Sequence, residues 1–554
     1  MARSSSATSA NPSAPASAAP IIELHGLTLR LAGGRTLFDN LTFTFADRRT
    51  GLVGRNGAGK SMLARAMAGL QEPDAGRADA RGTVYYLPQR IDVDTGTTVA
   101  DVAGLGTLFA AANRLAAGHG TPEDLALLDG RWTVAADFAA ALADAGLPSL
   151  HGGVPAAGLS GGQLVRVALA GAFLSAADVL ILDEPTNHLD RDGRNWLRRR
   201  LDAWSGGVIA ISHDRALLDA MTAIVELDEH GLHAFGGNFT HYQAQRDAQA
   251  VAAQAALDHA RTARQAALRQ LRTQHDARQQ RNARASRAAR DENQAAILLG
   301  RRKAGAQASA GNAARQAAAL RARLDDAVGS AAAGADTAAL PALLLDDAAV
   351  PAGRTVIVCE GAVAPWPADA LPLDLVLAGP VRVAIAGPNG CGKSTLLKML
   401  AGDVAPRAGL CSACVPSAWL DQHAERLLPP EWNILQRLRQ LDCPLADAVL
   451  RSRLALLGLD AARLATPAGA LSGGERIKAA LACALWQRSA ARLLLLDEPG
   501  NHLDLPALRA LEEALGAWPG AFAIVSHDDR LLAALRLTHV LRWHPAGWRL
   551  ETCH

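Results

Sequence analysis

The chain has 554 residues, 49% of them hydrophobic, which is too long for one domain and enough to build several buried cores. Its formal net charge of +2 hides an uneven distribution, because residues 241–330 carry 16 Lys and Arg against 7 Asp and Glu. This basic middle predicts an anionic partner. Seven cysteines and an N-terminal segment without an apolar stretch argue against a secreted protein and predict a cytoplasmic one. No run reaches about 18 apolar residues, so we expect no membrane insertion.

Four segments are expected along the chain. Residues 1–20 consist mainly of Ser, Ala and Pro, a composition that predicts a disordered tail. Residues 21–240 and 336–554 carry the same motifs and are expected to form two domains, and residues 241–335 are expected to form a helical linker between them.

The first copy begins with alternating apolar and polar residues over 21–45, which predicts antiparallel strands. The apolar segment 51–54 then predicts a buried strand that leads into a glycine-rich loop and a helix starting at Lys60. Backbone N–H groups in such a loop, together with the helix N-terminus, bind phosphates. We expect Lys60 to contact the β- and γ-phosphates and Ser61 to bind Mg²⁺. The other phosphate-binding residues predicted in this loop are Gly54, Asn56, Gly57 and Gly59.

A second apolar strand, 179–182, ends in two carboxylates. Asp183 is expected to hold Mg²⁺, directly or through water, and Glu184 to orient or deprotonate the water that attacks the γ-phosphate. His213 follows another apolar strand and is predicted to contact the γ-phosphate. Gln89 is predicted to be a ligand of the metal or of the water.

The motif Leu-Ser-Gly-Gly-Gln at 159–163 precedes a helix and forms a second anion-binding helix start. Because this copy already has a phosphate loop, the second set of donors is expected to serve a different nucleotide. The residues concerned are Ser160, Gly161, Gly162 and Gln163. About 21 extra residues precede this motif relative to the second copy. They predict either a helical subdomain around Asp101–Leu147 or a longer loop.

The segment 241–330 lacks Pro and is rich in Ala, Arg and Gln, which favours helix. Two arms of roughly 35–40 residues, with a turn near Asp291–Gly305, would reach about 55 Å. Its Arg residues suit phosphate contacts, and the absence of Phe, Trp and Tyr from residues 261–303 argues against base-specific reading. The predicted RNA-binding residues are Arg278, Arg281, Arg284, Arg287, Arg290, Arg301, Arg302 and Lys303. The alternative is a solvated helical spacer.

The second copy repeats every motif in the same order. The catalytic pair, Glu498 and His527, is again separated by 29 positions, as Glu184 and His213 are. Its predicted phosphate-loop residues are Gly387, Asn389, Gly390, Gly392, Lys393, Ser394 and Thr395. Its predicted anion-binding helix start consists of Ser472, Gly473, Gly474 and Glu475. Its predicted metal ligands are Ser394, Gln422 and Asp497. Two full sets at matched spacing predict a tandem ATPase.

These motifs resemble those of the ATP-binding cassette family, whose signature is Leu-Ser-Gly-Gly-Gln or Glu. The resemblance implies an α/β fold with two P-loop cassettes, each with a mixed, largely parallel sheet and a helical subdomain, joined by a basic α-helical hairpin. It also implies a monomer whose cassettes pair head to tail around ATP and Mg²⁺. One ATP would lie between Lys60 and Ser472 and the other between Lys393 and Ser160, with Asp190 and Asp504 coupling the two sites.

More narrowly, the chain is similar to the ABC-F proteins, in which one chain holds two cassettes and a basic linker. The sequence Thr-Asn-His-Leu-Asp at 186–190 matches that group, whereas the second copy departs from it at Gly500. The resemblance implies an ATP-switched factor whose linker meets rRNA and the peptidyl-tRNA region of the ribosome. Such a factor modulates translation or protects against ribosome-targeting antibiotics.

Two other functions remain alternatives from the sequence: the cytosolic ATPase subunit of a membrane transporter, and a DNA-maintenance ATPase. The family also stacks an aromatic side chain on adenine some 25–30 residues before the P-loop lysine. The second copy offers Trp366 there, and the first offers only Leu29, Leu31, Gly33 and Gly34.

Overall fold

The computed structural model describes residues 21–31, 36–291, 311–312, 315–330, 348–421, 424–459, 461–501 and 503–553. The predicted tail, 1–20, lies outside them. The described residues fall into two compact units, one within Met1–Thr240 and Ala339–His554 and the other within His241–Ala338. The first unit contains both copies of the repeated motifs.

The first copy is built on two sheets. Its strands are β1 (Ile22–Arg30), β2 (Thr36–Phe45), β3 (Arg49–Gly54), β4 (Ala75–Ala80), β5 (Val84–Leu87), β6 (Val179–Asp183), β7 (Gly207–Ile211), β8 (Ala223–Asp228) and β9 (Gly231–Gly236). A three-stranded antiparallel sheet has the order β2-β1-β4, and a six-stranded sheet has the order β5-β6-β7-β3-β8-β9. In the larger sheet only the β8–β9 pairing is antiparallel.

The parallel strands explain where the motifs meet. Every residue of β6 and β7 is buried, as expected for strands covered on both faces. β3 lies between β7 and β8, and β6 lies beside β7. Because parallel strands end at the same sheet edge, Gly54, Asp183 and the segment after Ile211 come together there.

The helices of the first copy are α1 (Lys60–Met67), α2 (Val99–Val102), α3 (Gly106–Ala116), α4 (Pro122–Leu128), α5 (Val134–Asp144), α6 (Gly161–Leu174), α7 (Arg191–Ala203) and α8 (Arg215–Leu218). The extra residues of this copy are helical: α2 to α5 enclose an apolar cluster around Phe138, Leu108 and Leu142, which α6 completes. The helical subdomain, and not a longer loop, is what the structure contains.

The linker contains one very long helix. α9 (Phe239–Asp291) has 53 residues, so the predicted arm of 35–40 residues is too short. No Gly or Pro interrupts the chain from Phe239 to residue 299, and 53 residues correspond to about 80 Å. Residues 315–330 form α10. The Arg264 Nε donates to Asp325 Oδ1 at 2.6 Å and joins α10 to α9.

The predicted RNA-binding residues are only partly described. Arg281 and Arg284 are exposed on α9. Three further predicted residues belong to α9, but their side chains lie outside the described part of the molecule: Arg278, Arg287 and Arg290. The last three, Arg301, Arg302 and Lys303, lie wholly outside it, as does most of the segment predicted to turn. None of the helices among the described residues is long and apolar enough to cross a membrane.

The second copy repeats the first. Its strands are β10 (Thr355–Val363), β11 (Leu373–Ala378), β12 (Arg382–Ala386), β13 (Ala408–Ala413), β14 (Ser417–Leu420), β15 (Leu493–Asp497), β16 (Ala521–Val525), β17 (His539–His544) and β18 (Gly547–Thr552). Its helices are α11 (Lys393–Leu400), α12 (Ile434–Gln440), α13 (Asp447–Leu456), α14 (Ala461–Ala465), α15 (Gly473–Trp486), α16 (Leu505–Gly516) and α17 (Asp529–Ala534). The sheets β11-β10-β13 and β14-β15-β16-β12-β17-β18 follow the same order. The predicted α/β class with two matching domains and a long helix between them is confirmed.

Charged side chains join the two copies. Arg215 at the start of α8 donates to Glu512 Oε1 on α16 at 2.6 Å, and both side chains are largely buried. Arg191 on α7 lies 3.2 Å from Asp529 on α17. Arg530 pairs with Asp219 and stacks on the Phe239 ring.

Replacement of Phe138 by Ala should loosen the helical subdomain of the first copy. Phe138 is fully buried, so the cavity should cost about 3–5 kcal/mol of local stability. Hydrogen exchange of peptides within residues 99–147 measures the effect. The control is Trp132→Ala in the same subdomain, because this side chain is 61% exposed. Equal protection of the amides from exchange in both variants would show that the apolar cluster does not stabilise these helices.

The Arg215–Glu512 pair should show strong coupling in a double-mutant cycle. Arg215→Met leaves the Glu512 carboxylate largely buried without its partner and should cost about 3–5 kcal/mol. Arg215→Met with Glu512→Gln should cost clearly less than the sum of the two single changes. Denaturant unfolding of the unmodified protein, the two single variants and the double variant gives the coupling free energy. Additive effects of the two single changes would contradict the predicted coupling.

Candidate nucleotide-binding sites

Both glycine-rich loops form the same cradle. At Gly59, φ is +97°, and a Cβ would lie 2.1 Å from Leu37 Cδ2; at Gly54 it would lie 2.3 Å from the Leu227 carbonyl oxygen. Only glycine fits these positions. Lys60 Nζ donates to the carbonyls of Gly54 and Arg55 at 2.7 and 3.1 Å, which holds the ammonium inside the loop.

The loop of the second copy is nearly identical. Gly392 has φ +98°, and Lys393 Nζ donates to the carbonyls of Gly387 and Pro388 at 2.8 and 3.0 Å. Burial lowers the pKa of Lys60, whereas the Glu184 carboxylate opposes this change. Each loop therefore presents a lysine ammonium and a helix N-terminus to the same concave space.

The acidic strand ends place a carboxylate against a histidine in both copies. His213 Nε2 lies 3.3 Å from Glu184 Oε1, and His527 Nε2 lies 3.4 Å from Glu498 Oε1. Glu184 and Glu498 have φ of 51° and 47°, a left-handed conformation that non-glycine residues rarely adopt. The same strained backbone in both copies keeps this carboxylate beside the histidine, a combination common at functional sites.

Burial changes the protonation of these groups. It raises the pKa of Glu184 to about 8, against the opposing charge of Lys60. It raises the pKa of Glu498 to about 7, and Arg194 of the first copy is the charge that opposes the rise most. Burial, together with Lys393 and Arg194, lowers the pKa of His527 to about 4, so this imidazole is neutral at pH 7.

The residues predicted to hold Mg²⁺ fit a hard cation. Asp183 is buried, and its Oδ1 accepts no hydrogen bond within the part of the chain that the structure describes. Burial raises the pKa of this carboxyl, and the Ser61 and Tyr86 hydroxyls oppose the rise. In the second copy the Ser394 hydroxyl donates to Asp497 Oδ1 at 3.1 Å. Hydroxyl and carboxylate oxygens together are the ligands that Mg²⁺ prefers.

Of the two glutamines predicted to be ligands of the metal or the water, only Gln89 lies among the described residues. Gln89 is exposed and lines a cavity of about 840 Å³ together with Asn56 and Ser472. Gln422 lies outside the described residues.

A second composite site forms where the first copy covers the P-loop of the second. Ser160 is the N-cap of α6: its hydroxyl accepts from Gln163 N at 3.3 Å, and Gln163 Oε1 accepts from Ser160 N at 2.8 Å. The Asn389 side-chain amide donates to the His188 carbonyl at 3.3 Å, and a Cβ at Gly162 would come within 3.7 Å of the same amide. The second composite site thus consists of the Lys393 loop and the helix start at 160–163.

The first composite site is the reverse arrangement. The Asn56 backbone N–H donates to Asp504 Oδ2 at 3.1 Å. Asn56, Ser472 and Gly473 line the cavity of about 840 Å³. Ser472 caps α15 as Ser160 caps α6, with Glu475 in place of the glutamine. The first composite site consists of the Lys60 loop and the helix start at 472–475.

The two aspartates predicted to couple the sites have unequal contacts. Asp190 and Asp504 each cap the helix that follows, through Gly193 N and Ala507 N at 3.0 Å. Among the described residues, Asp504 also accepts a P-loop N–H from the other copy, and Asp190 pairs with Arg166 of its own copy.

At Gly500, where the second copy departs from the first, there is little room for a side chain. A Cβ there would lie 3.2 Å from Leu508 Cδ1. The residue at this position in the first copy, Thr186, instead shares a hydrogen bond of 3.3 Å with Ser212.

The segment where an aromatic side chain is expected for the adenine differs between the copies. Trp366 is 70% exposed and lines a cavity of about 520 Å³ with the loop residues Gly390, Lys393, Ser394 and Thr395. In the first copy Leu37 stands against the loop at Gly59. Residues 33 and 34 lie outside the described part, and Leu29 is buried.

Two side chains at these sites could not be identified from the motifs. The Tyr86 hydroxyl donates to Asp183 Oδ2 at 3.2 Å, but in sequence Tyr86 is one more apolar residue of β5. Arg194 donates to the Leu189 carbonyl and to Asp214 Oδ2 at 3.2 and 3.0 Å and influences Glu498 of the other copy. Neither residue has a signal in the sequence, because its role arises from non-local contacts.

Comparison with known proteins agrees with this geometry. The family model described as "ABC transporter" matches residues 38–187 and 373–501. The tylosin resistance ATP-binding protein TlrC of Streptomyces fradiae is 32% identical, over 94% of this chain and 96% of that protein. The energy-dependent translational throttle protein EttA of Mycobacterium tuberculosis is 31% identical, over 92% and 89%.

Among solved structures, the archaeal ribosome recycling factor in complex with the stalk protein aP1 is similar in fold, with a TM-score of 0.54 and 17% identity over 95% of this chain and 89% of that one. Both copies of the motifs, the paired sheets and relatives that cover nearly the whole chain point to one family. The chain belongs to the ATP-binding cassette family and, within it, to the ABC-F proteins.

Proposed function

We propose that this protein hydrolyses ATP to ADP and phosphate at both composite sites and that the bound nucleotide controls its association with the ribosome. The observation that carries the proposal is that each P-loop is covered by the other copy, through Asn56–Asp504 and Asn389–His188. ATP bound in either place would contact both copies, so its binding would favour the closed pair and its hydrolysis would release it.

The chemistry follows from the side chains at each sheet edge. In its ionised form, Glu184 would accept a proton from the attacking water as the water oxygen bonds to the γ-phosphorus and the bond to the ADP oxygen breaks. His213, beside Glu184, would donate to a γ-phosphate oxygen. Glu498 and His527 would do the same in the second composite site. Lys60 and Lys393 would bind the β- and γ-phosphates, and the serine-capped helix starts would bind the γ-phosphate from the opposite side.

A magnesium ion bound with ATP would neutralise charge on the β- and γ-phosphates. Ser61, Asp183 and Gln89 would hold it in the first composite site. Ser394, Asp497 and Gln422 would hold it in the second. The buried, unsatisfied Asp183 Oδ1 supports this assignment.

The ribosome as partner is supported by charge and by similarity. The segment that contains α9 carries 16 basic against 7 acidic residues, and Arg281 and Arg284 are exposed on it. Such a segment favours RNA phosphates, here rRNA and the peptidyl-tRNA region. One relative is named a translational throttle protein and another a tylosin resistance protein. We propose a monomer in the cytoplasm, with its two copies paired within one chain.

Glu184→Gln together with Glu498→Gln should abolish turnover and keep ATP binding. Glutamine preserves the shape of the side chain but cannot accept the proton, so the rate should fall at least about a hundredfold. Phosphate release and equilibrium nucleotide binding measure the two effects. Glu229→Gln is the control, because its side chain is 87% exposed on the turn between β8 and β9. Turnover near wild type in the double variant would show that other residues catalyse the reaction.

The same double variant should sediment with purified ribosomes in ATP and not in ADP, and high salt should weaken the binding. Arg281→Ala with Arg284→Ala should reduce the affinity and make it less sensitive to salt. Arg198→Ala with Arg199→Ala, two exposed residues of α7, is the matched control.

Failure to pellet in any condition would overturn the ribosome proposal and direct the search to membranes that hold a transporter partner. Pelleting that the linker variant leaves intact would assign the contact to another surface. Susceptibility of an expressing strain to ribosome-targeting antibiotics then separates resistance from adjustment of translation.

A further inference from the structure

The two serine-capped helix starts differ by one charge. In the second composite site the cap is neutral, because Gln163 Oε1 accepts from Ser160 N at 2.8 Å. In the first composite site the same bond, Ser472 N to Glu475 Oε2 at 2.9 Å, ends on a carboxylate. Glu475 therefore places a negative charge at the helix end that must accept a γ-phosphate, and the two anions compete for one positive helix terminus.

An arginine lies against this carboxylate. Arg463, on α14, has its Nε 3.0 Å from Glu475 Oε1, the oxygen that does not cap the helix. The position nine residues before the capping serine holds Arg463 in the second copy and His151 in the first. The chain thus carries Glu with Arg at one helix start and Gln with His at the other.

The pair faces the nucleotide space and not bulk solvent alone. Arg463 and Glu475 both line the cavity of about 840 Å³ that Asn56 of the opposite P-loop also lines. Arg476, the next basic residue along α15, donates to the carbonyls of Ala468 and Gly469 at 3.0 and 3.2 Å. Its guanidinium is directed to the backbone, so Arg463 is the partner that the structure assigns to Glu475.

We propose that Arg463 is a positioning residue of the first composite site, which neutralises Glu475 and holds its carboxylate on the helix cap so that the γ-phosphate of ATP can bind beside it. The inference rests on the proposed function and deepens it, because it makes ATP affinity at one site depend on a charge pair that the other site does without. The second composite site needs no such residue, since Gln163 caps its helix without charge.

The test isolates the first composite site in the Glu498→Gln background, where Glu184 is the remaining catalytic carboxylate. Arg463→Met should raise the KM for ATP roughly three- to fivefold at low ionic strength, with a smaller effect on kcat. The increase should shrink in high salt, which screens an exposed charge. Adding Glu475→Gln to Arg463→Met should return the KM to that of the background, because the neutral cap of the first copy is then reproduced.

Two further variants keep the outcome interpretable. His151→Met, at the matching position of the first copy, should leave the KM of the first composite site as it is. Arg463→Met in the Glu184→Gln background reports on the second composite site, and its KM should change less than twofold.

An unchanged KM in Arg463→Met would overturn the inference, and so would an increase that Glu475→Gln does not reverse, since a merely structural role predicts no rescue. Persistent turnover in Glu184→Gln with Glu498→Gln would instead contradict the proposed function.

Discussion

The contact between each P-loop and the loop after the acidic strand of the other copy is the constraint on which both sites depend. Asn56 bonds to Asp504, and Asn389 bonds to the carbonyl of His188. Each acidic strand therefore serves two purposes: its last residues face the P-loop of their own copy, and the residues directly after them reach the P-loop of the other. The same short loop therefore contacts both composite sites.

The local parts of this arrangement could be predicted from the sequence. Glycine spacing around Lys60 and Lys393, and apolar runs that end in carboxylates, define strand-loop-helix units whose geometry follows from a few adjacent residues. The length of α9 was harder to predict. A run without Gly or Pro does not indicate where a helix ends, and α9 begins at Phe239, which still belongs to the first copy. Tyr86, Leu37 and Arg194 could not be predicted, because each acts on a residue distant in sequence or on the other copy.

The copies are alike in fold but differ in chemistry at matching positions. The P-loop serine contacts the aspartate in both copies, Ser61 with Asp183 and Ser394 with Asp497. Asp183 also accepts from the Tyr86 hydroxyl, whereas the residue that matches Tyr86 in the second copy, Trp419, has no hydroxyl. Arg194 of the first copy corresponds to Leu508 of the second, so only Glu498 has an arginine from the opposite copy among the charges that influence it. Burial raises the pKa of both predicted catalytic carboxyls, to about 8 for Glu184 and to about 7 for Glu498.

The ion pairs between the copies also determine which partner each copy accepts. Arg215 and Glu512 attract, and the positions that match them by repeat are Asp529 and Arg198, with the signs reversed. A first copy that met another first copy in this geometry would set Arg215 against Arg198, and two second copies would set Asp529 against Glu512. Like charges at a largely buried contact oppose both mistakes. The reversed signs therefore favour the pairing of a first copy with a second copy and disfavour the pairing of two like copies.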